Sequence, residues 1–307
     1  MKDLIRNKYI AYLGAFICAG LWGTAFPLIK LGYSSLKIEG SDAASKILFA
    51  GERFALAGVL VFVFGLIIYR KPPLISKRDF APVALLGVIQ TALQYLFAYI
   101  GVGFTTAVNT SIITGTVSII SVALAALFFK NDRLTFLKTA GCVLGLCGIV
   151  CVNFSDFSLG SATFFGDIIV LLSAFSGAFG NIITKKISDG RNPLSVTAFQ
   201  LFIGGVILLI IGLIFGGRTV YRDGGSWAIL LWLSLVSSVS FLIWTALLKH
   251  HSVSRITIFT MLVPIFGTLW SYFLLGEDIL RIENLVSLIL IAVGIVMVNI
   301  KVGKNEN

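Results

Sequence analysis

Charge is scarce in this 307-residue chain: Asp, Glu, Lys and Arg supply 12% of it, while 57% is hydrophobic. Soluble domains carry about 25% charged residues, so a chain this apolar needs lipid as its solvent. Histidine occurs twice and cysteine four times. Cys18, Cys142, Cys147 and Cys151 all fall inside apolar runs without the paired spacing of a metal site or a disulfide scaffold, so buried thiols are expected and neither a metal nor a cofactor. No Gly-rich loop ending in Lys and Ser/Thr is present, which excludes an ATP-driven pump. An enzyme would need acids, histidines or metal ligands converging at one depth, and the predicted spans offer one clear carboxylate, Glu52, and no histidine.

The net charge of +10 does not point to nucleic acid, because the Lys and Arg sit in short clusters between apolar runs. These runs are what the chain has in abundance. A membrane-crossing helix needs about 20 apolar residues, and such windows predict helices at 9–33, 46–69, 80–102, 105–129, 134–154, 164–186, 195–216, 226–248, 253–275 and 280–300. The first run is too long for a signal-peptide core of about 7–15 residues. The expected class is therefore an all-α integral membrane protein with ten transmembrane helices.

Orientation follows from the cations. With the N-terminus inside, Lys2, Arg6, Lys8, Arg70, Lys71, Lys77, Arg78, Lys130, Arg133, Lys138, Lys185, Lys186, Arg191, Lys249, Arg255, Lys301 and Lys304 lie on the cytoplasmic side. Only Lys37, Lys46, Arg218, Arg222 and Arg281 lie outside, a 17 to 5 asymmetry in the sense of the positive-inside rule. A multi-pass protein of a bacterial-type cytoplasmic membrane, with both termini cytoplasmic, is expected.

The chain also resembles itself. Shifted by 146 positions, 106–153 falls on 252–299 without a gap: Gly148-Ile149-Val150-Cys151-Val152-Asn153 lies on Gly294-Ile295-Val296-Met297-Val298-Asn299, and Asp132 on Asp278. A shift of 147 puts Arg53-Phe54-Ala55-Leu56-Ala57-Gly58 on Gln200-Leu201-Phe202-Ile203-Gly204-Gly205. Two five-helix halves follow, 1–154 and 155–307. Five is odd, so the halves enter the membrane from opposite sides, and such inverted repeats build transporters with a midplane site.

Three motifs carry a resemblance to a known family: Gly20-Leu21-Trp22-Gly23-Thr24-Ala25-Phe26, Arg53-Phe54-Ala55-Leu56-Ala57, and Leu262-Val263-Pro264 leading to Leu274-Leu275-Gly276-Glu277. Over nearly its whole length the chain resembles EamA-type members of the drug/metabolite transporter superfamily. The resemblance implies a ten-helix carrier, often an exporter of amino acids or related metabolites, with a cavity formed mainly by helices 1, 3, 4, 6, 8 and 9. The first half departs from the family pattern, with Phe129-Lys130-Asn131 where a Gly-Glu pair is usual.

Polar groups at membrane depth are expensive unless paired or facing a wet cavity, which singles out candidates. Gln90, Gln94, Tyr95 and Tyr99 form polar and aromatic rows on helix 3. Amides there suit the charged ends of a zwitterion and rings its apolar part; helix-to-helix hydrogen bonding is the alternative. Asn109, Asn181, Trp22 and Trp244 are further candidates for the substrate site. Pro27 and Pro264 remove backbone donors and are hinge candidates. Glu52 and Arg53 are candidates for an outer gate or for a local pair, with Arg53 able to snorkel outwards, while Lys30 is read as an interfacial anchor. Gly141, Gly145 and Gly148 mark either a dimer face or packing within the chain.

The expected partners are the lipid bilayer, a small-molecule substrate and protons as a candidate coupling ion; nucleic acid is not expected, and the oligomeric state is left open. The expected activity is secondary transport, with export of an amino acid or related amphipathic solute by alternating access. The alternatives are exchange of nucleotide sugars or sugar phosphates, a channel, and a non-transporting accessory role.

Overall fold

The computed structural model describes residues 5–70, 72–102, 104–105, 107–153, 164–276 and 282–300, without the side chains of 26, 69, 107–112, 152–153, 275 and 283–284. Among the described residues there is no strand, and the regular structure is helical. The helices start where the sequence supplies caps. Helix α1 (Lys8–Leu36) opens at Asn7, whose side chain accepts the Tyr9 N–H at 2.9 Å. Asp42 accepts the Ser45 N–H at 2.9 Å to open α2 (Ala43–Tyr69), and Ser76 opens α3 (Lys77–Val102). Then follow α4 (Ala107–Phe128), α5 (Phe136–Asn153), α6 (Phe164–Ser188), α7 (Pro193–Ile214), capped by Asn192, and α8 (Gly224–His250), capped by Asp223. Helix α9 comprises Val253–Thr257, a 3₁₀ stretch Ile258–Leu262 and Val263–Leu275, ending on Gly276 at φ 71°; α10 is Ile282–Asn299.

Among the described residues, α1, α2, α3, α6, α7, α8 and α9 are long and apolar enough to cross a membrane, while α4, α5 and α10 carry the shorter apolar stretches Ile113–Phe128, Phe136–Cys151 and Leu285–Asn299. Large apolar side chains such as Ile67, Phe136, Leu213, Ile214 and Phe273 cover the outside of the bundle. In water such a surface would drive aggregation; in lipid it is the solvated face.

Small residues set the closest packing. A Cβ added at Gly58 would lie 2.5 Å from the Phe202 nitrogen, and one at Gly205 2.2 Å from the Ala55 nitrogen, so α2 and α7 approach backbone to backbone. In the same way Gly141 on α5 would meet the Gly294 carbonyl at 2.6 Å, and Gly148 the Ser287 carbonyl at 3.0 Å on α10. Along both pairs a step forward on one helix is a step back on the other, so each pair is antiparallel. The glycine row of α5 thus packs within the chain, with Gly145 against the Met261 sulfur. The cysteines divide: Cys18 and Cys142 are buried as expected, but Cys147 is exposed on the outer face of α5 and Cys151 half-buried.

Two proline-bearing helices cross at the centre. Gly23 of α1 lies under Phe266 and Gly267 of α9, where an added Cβ would stand 2.4 Å from the Phe266 Cβ. Pro27 lies inside α1, and Pro264 begins the last piece of α9 directly after its 3₁₀ turn. Ser118 of α4 donates to the Thr257 carbonyl at 3.0 Å, satisfying backbone in this tightened stretch.

Candidate functional site

The winding of α3 places the first cluster. Gly87–Leu93 is a π-helical turn, a local widening frequent at functional sites. In an i→i+5 turn four residues no longer complete a revolution, so Gln90 and Gln94 do not stack as regular α spacing predicts. The turn is held from α6, where Ser176 donates to the Ile89 carbonyl at 2.6 Å and Ser173 to the Gln94 carbonyl at 2.7 Å.

Gln90 turns inwards, 4% exposed. Its amide nitrogen donates to Asn181 at 3.3 Å, and its oxygen accepts from Thr184 at 3.0 Å and from the Gln200 amide at 2.9 Å. Asn181 also accepts the Trp244 indole N–H at 3.0 Å and donates to Ser121 at 3.1 Å. Five helices, α3, α4, α6, α7 and α8, thus meet in one buried polar network. Gln94 stays out of it: its amide lies against Gly177, where a Cβ would meet the amide carbon at 2.9 Å, and it takes no side-chain hydrogen bond among the described residues. The two glutamines therefore do different things, one locking helices together and one whose amide takes no partner among the described residues. Asn109 falls outside the described side chains.

An aromatic wall leads away from this network. Trp22 contacts Trp244 with ring centres 4.9 Å apart and Phe241 at 5.7 Å; Phe241 meets Phe54 at 6.3 Å, and Phe54 meets Tyr95 at 4.2 Å. Among the described residues the buried Trp22 indole nitrogen has no hydrogen-bond partner, and neither has the Gln200 side-chain oxygen.

Arg53 sits at the far end of the wall. It is 3% exposed, its Nε donates to Ser237 of α8 at 2.9 Å, and its guanidinium lies 4.9 Å from the Phe54 ring centre. Tyr33, Tyr95 and Tyr99 are close enough to feel its charge. Two sequence expectations need correcting here. Because α2 begins at Ala43, Arg53 stands ten residues in, about 15 Å along a helix about 40 Å long, too deep to snorkel. Nor does it pair with Glu52, which faces the α7–α8 connection and accepts from Thr219 at 2.5 Å and from the Tyr221 hydroxyl. Burial and the Glu52 carboxylate push the Tyr221 hydroxyl well above its ordinary pKa, so it remains the donor. Glu52 thus pins a connecting segment, whose Tyr221 ring stacks on Trp227 at 4.4 Å.

At the end of the bundle that carries the N-terminus, polar contacts tie early helices to late ones. Asp132 accepts the Lys138 ammonium at 2.8 Å and both the backbone N–H, at 3.0 Å, and the hydroxyl of Ser254. Arg191 pairs with Asp79 at 2.7 Å, Lys185 donates to the His251 carbonyl at 2.9 Å, Lys249 to the Arg191 carbonyl at 2.6 Å, and the His251 ring meets the Ile5 carbonyl at 2.7 Å. Burial, reinforced by Lys185 and Arg255 against the opposing Ile5 bond, lowers the His251 pKa, so the ring is neutral at pH 7. Sequence reasoning did not single out Gln200, Thr184, Ser121 or Ser237. Gln200 was visible as an amide inside an apolar run, but serines and threonines are common in membrane helices and carried no signal.

Comparison with known proteins places this architecture. A solved crystal structure superimposes with a TM-score of 0.78 at 18% identity, covering 95% of this chain and 97% of that one, which establishes a shared fold. The chain is 25% identical to the protein named Uncharacterized transporter YoaV of Bacillus subtilis (strain 168), over 93% of this chain and 95% of that protein. It is 28% identical to the Uncharacterized transporter YvbV of the same organism, over 98% and 94%. To the Uncharacterized inner membrane transporter YedA of Escherichia coli (strain K12) it is 26% identical, over 86% and 82%. Residues 9–154 and 164–300 each match the EamA-like transporter family, and the chain, a multi-pass membrane protein, belongs to that family.

Proposed function

We propose that this membrane transporter is a secondary carrier that moves a small metabolite, such as an amino acid or related amphipathic solute, by alternating access between two inverted five-helix halves, 1–154 and 155–307. The observation that carries the reading is the reciprocity of the closest helix contacts. With the 147-residue shift, the Gly58–Phe202 contact becomes Gly205–Ala55; with the 146-residue shift, Gly141–Gly294 becomes Ser287–Gly148. A contact that maps onto its own partner in an antiparallel pair is the mark of a two-fold axis perpendicular to the helices. For helices that cross a membrane, such an axis lies in the membrane plane, the relation found in inverted-repeat carriers.

Ten crossings, with α4, α5 and α10 spanning alongside the seven longer helices, give each half its five. Both termini are assigned to the cytoplasm from the excess of cations at that end. There Asp132–Ser254, Asp79–Arg191 and Ile5–His251 join the halves, which supports a cytoplasmic end that is closed in this conformation. Substrate is assigned to the region lined by Gln94, Trp22, Tyr95 and Tyr99, next to the network of Gln90, Asn181 and Trp244, with Pro27 and Pro264 flanking the α1–α9 crossing about which the halves rock.

The deciding experiment is uptake into proteoliposomes of labelled amino acids, nucleosides and simple amines, with and without an imposed pH gradient. Saturable flux that shows counterflow is expected, and acceleration by the gradient would make protons the coupling ion. Absence of flux for every solute, from protein shown to be folded and inserted, would overturn the carrier assignment for these substrate classes.

A further inference from the structure

We infer that Arg53 is the anchor for a carboxylate group of the transported solute. The inference rests on the transport reading and names the chemistry of its site. A guanidinium about 15 Å from one end of a spanning helix and about 25 Å from the other is costly unless it is neutralised. Among the described residues no carboxylate pairs with Arg53: Glu52 is engaged by Thr219 and Tyr221, Asp132 by Lys138 and Ser254, and Asp79 by Arg191. What surrounds the guanidinium is a neutral shell of Ser237, the Phe54 ring and the nearby tyrosines. A cation arranged this way has donors to give and no anion among the described residues to receive them.

The fold itself does not require the charge. The 147-residue shift places Arg53 on Gln200, which is fully buried in α7 as a neutral amide whose nitrogen donates to Gln90. The two halves thus build the same helix-packing position once with an amide and once with a cation, and among the described residues no carboxylate offsets the cation.

The guanidinium fork matches the two oxygens of a carboxylate, as it does those of a phosphate, and charge separates the two. A phosphate carries a charge of about −1.5 to −2 at neutral pH, which one guanidinium would leave with surplus negative charge at membrane depth. The aromatic wall of Tyr95, Phe54, Phe241 and Trp22 receives the apolar body of the solute. The buried Trp22 N–H, unpartnered among the described residues, is a second donor on that wall, and the Gln200 oxygen, likewise unpartnered among them, is an acceptor beyond it. This polarity, cation at one end and amide oxygen at the other, suits a zwitterion with its carboxylate towards Arg53.

The test uses the full chain and reads binding and flux separately. L-leucine and L-phenylalanine are compared with leucinamide and phenylalaninamide, which lack the carboxylate, against wild type, Arg53→Lys and Arg53→Gln. Binding is read by scintillation proximity on purified protein and flux in proteoliposomes. Wild type is expected to prefer the carboxylates by about tenfold or more. Arg53→Lys should keep the preference with a raised KM, and Arg53→Gln should lose it. Because the second half uses Gln at the matching position, Arg53→Gln should unfold at or above the wild-type temperature, whereas a merely structural arginine would lower it. Carboxylate-dependent binding without flux would uphold the site and sink the carrier assignment. Flux that ignores both the amide change and Arg53→Gln would do the reverse, and wild-type protein that binds neither carboxylate in preference overturns the site.

Discussion

Asp132, in the connection between α4 and α5, accepts the backbone N–H of Ser254 at 3.0 Å and so caps the first turn of α9 from the other half of the chain. A carboxylate at a helix N-terminus is favoured by the unsatisfied N–H groups there. Here the same carboxylate also holds the Lys138 ammonium at 2.8 Å, with 3% and 7% of the two side chains exposed. One acid therefore both neutralises a buried cation and ties two helices together.

Removing it should be expensive. Asp132→Ala leaves Lys138 buried with a carbonyl as its remaining acceptor, and breaking a buried pair in this way costs about 3–5 kcal/mol. Replacing both residues, Asp132→Ala with Lys138→Met, should recover part of that loss, the remainder being the lost cap. Unfolding of single and double variants in detergent micelles checks this; a double variant as unstable as the sum of the singles would show that the pair does not interact.

The two-fold relation makes a paired prediction. Gly58→Ala and Gly205→Ala each push a methyl against backbone of the facing helix, and overpacking of this kind costs about 1–3 kcal/mol. The two substitutions should lower the unfolding temperature by similar amounts. A large effect at one position and none at the other would argue against reciprocal packing of α2 and α7.

Gln90 and Gln94 should separate stability from transport. Gln90→Ala strips partners from Asn181, Thr184 and Gln200, and buried polar groups left unpaired cost about 1–3 kcal/mol each. Gln94→Ala breaks no side-chain hydrogen bond among the described residues, so it should reduce flux while leaving the unfolding temperature near that of wild type. Unchanged flux for every transported solute would remove Gln94 from the site.

Acidification should loosen the end of the bundle near the N-terminus. The His251 pKa is depressed below 6.5 in the fold, chiefly by burial. A base with a depressed folded pKa stabilises the protein while neutral, above the unfolded value, and that contribution is lost as pH falls through the folded one. The wild-type unfolding temperature should therefore drop more steeply than that of His251→Gln as pH is taken from above 6.5 to well below it. Parallel pH profiles would assign the acid sensitivity to other groups.

The helices and their order were legible because apolar runs follow one another along the chain, several of them opened by caps such as Asn7, Asp42 and Asn192. Boundaries were less so: with α2 starting at Ala43 instead of near 46, Arg53 lies three residues deeper in its helix. The π turn at Gly87–Leu93 left no mark in composition, since it arises from how Ser173 and Ser176 meet the α3 carbonyls.

Apolar content, the clustering of cations and the 146- and 147-residue self-similarity are properties of the chain alone, and from them follow the membrane as solvent and the expectation of two related halves, while the three motifs carried the resemblance to the family. Which polar residues are spent on packing and which remain free was decided by tertiary structure. Gln90 and Gln94 are the same side chain four residues apart, yet one is enclosed by three partners and the other packs against Gly177; Glu52 and Arg53 are neighbours, yet one faces the α7–α8 connection and the other Ser237 of α8. Partners for a side chain at membrane depth come from other helices, more than a hundred residues away in several of these contacts, and only their packing determines which groups meet.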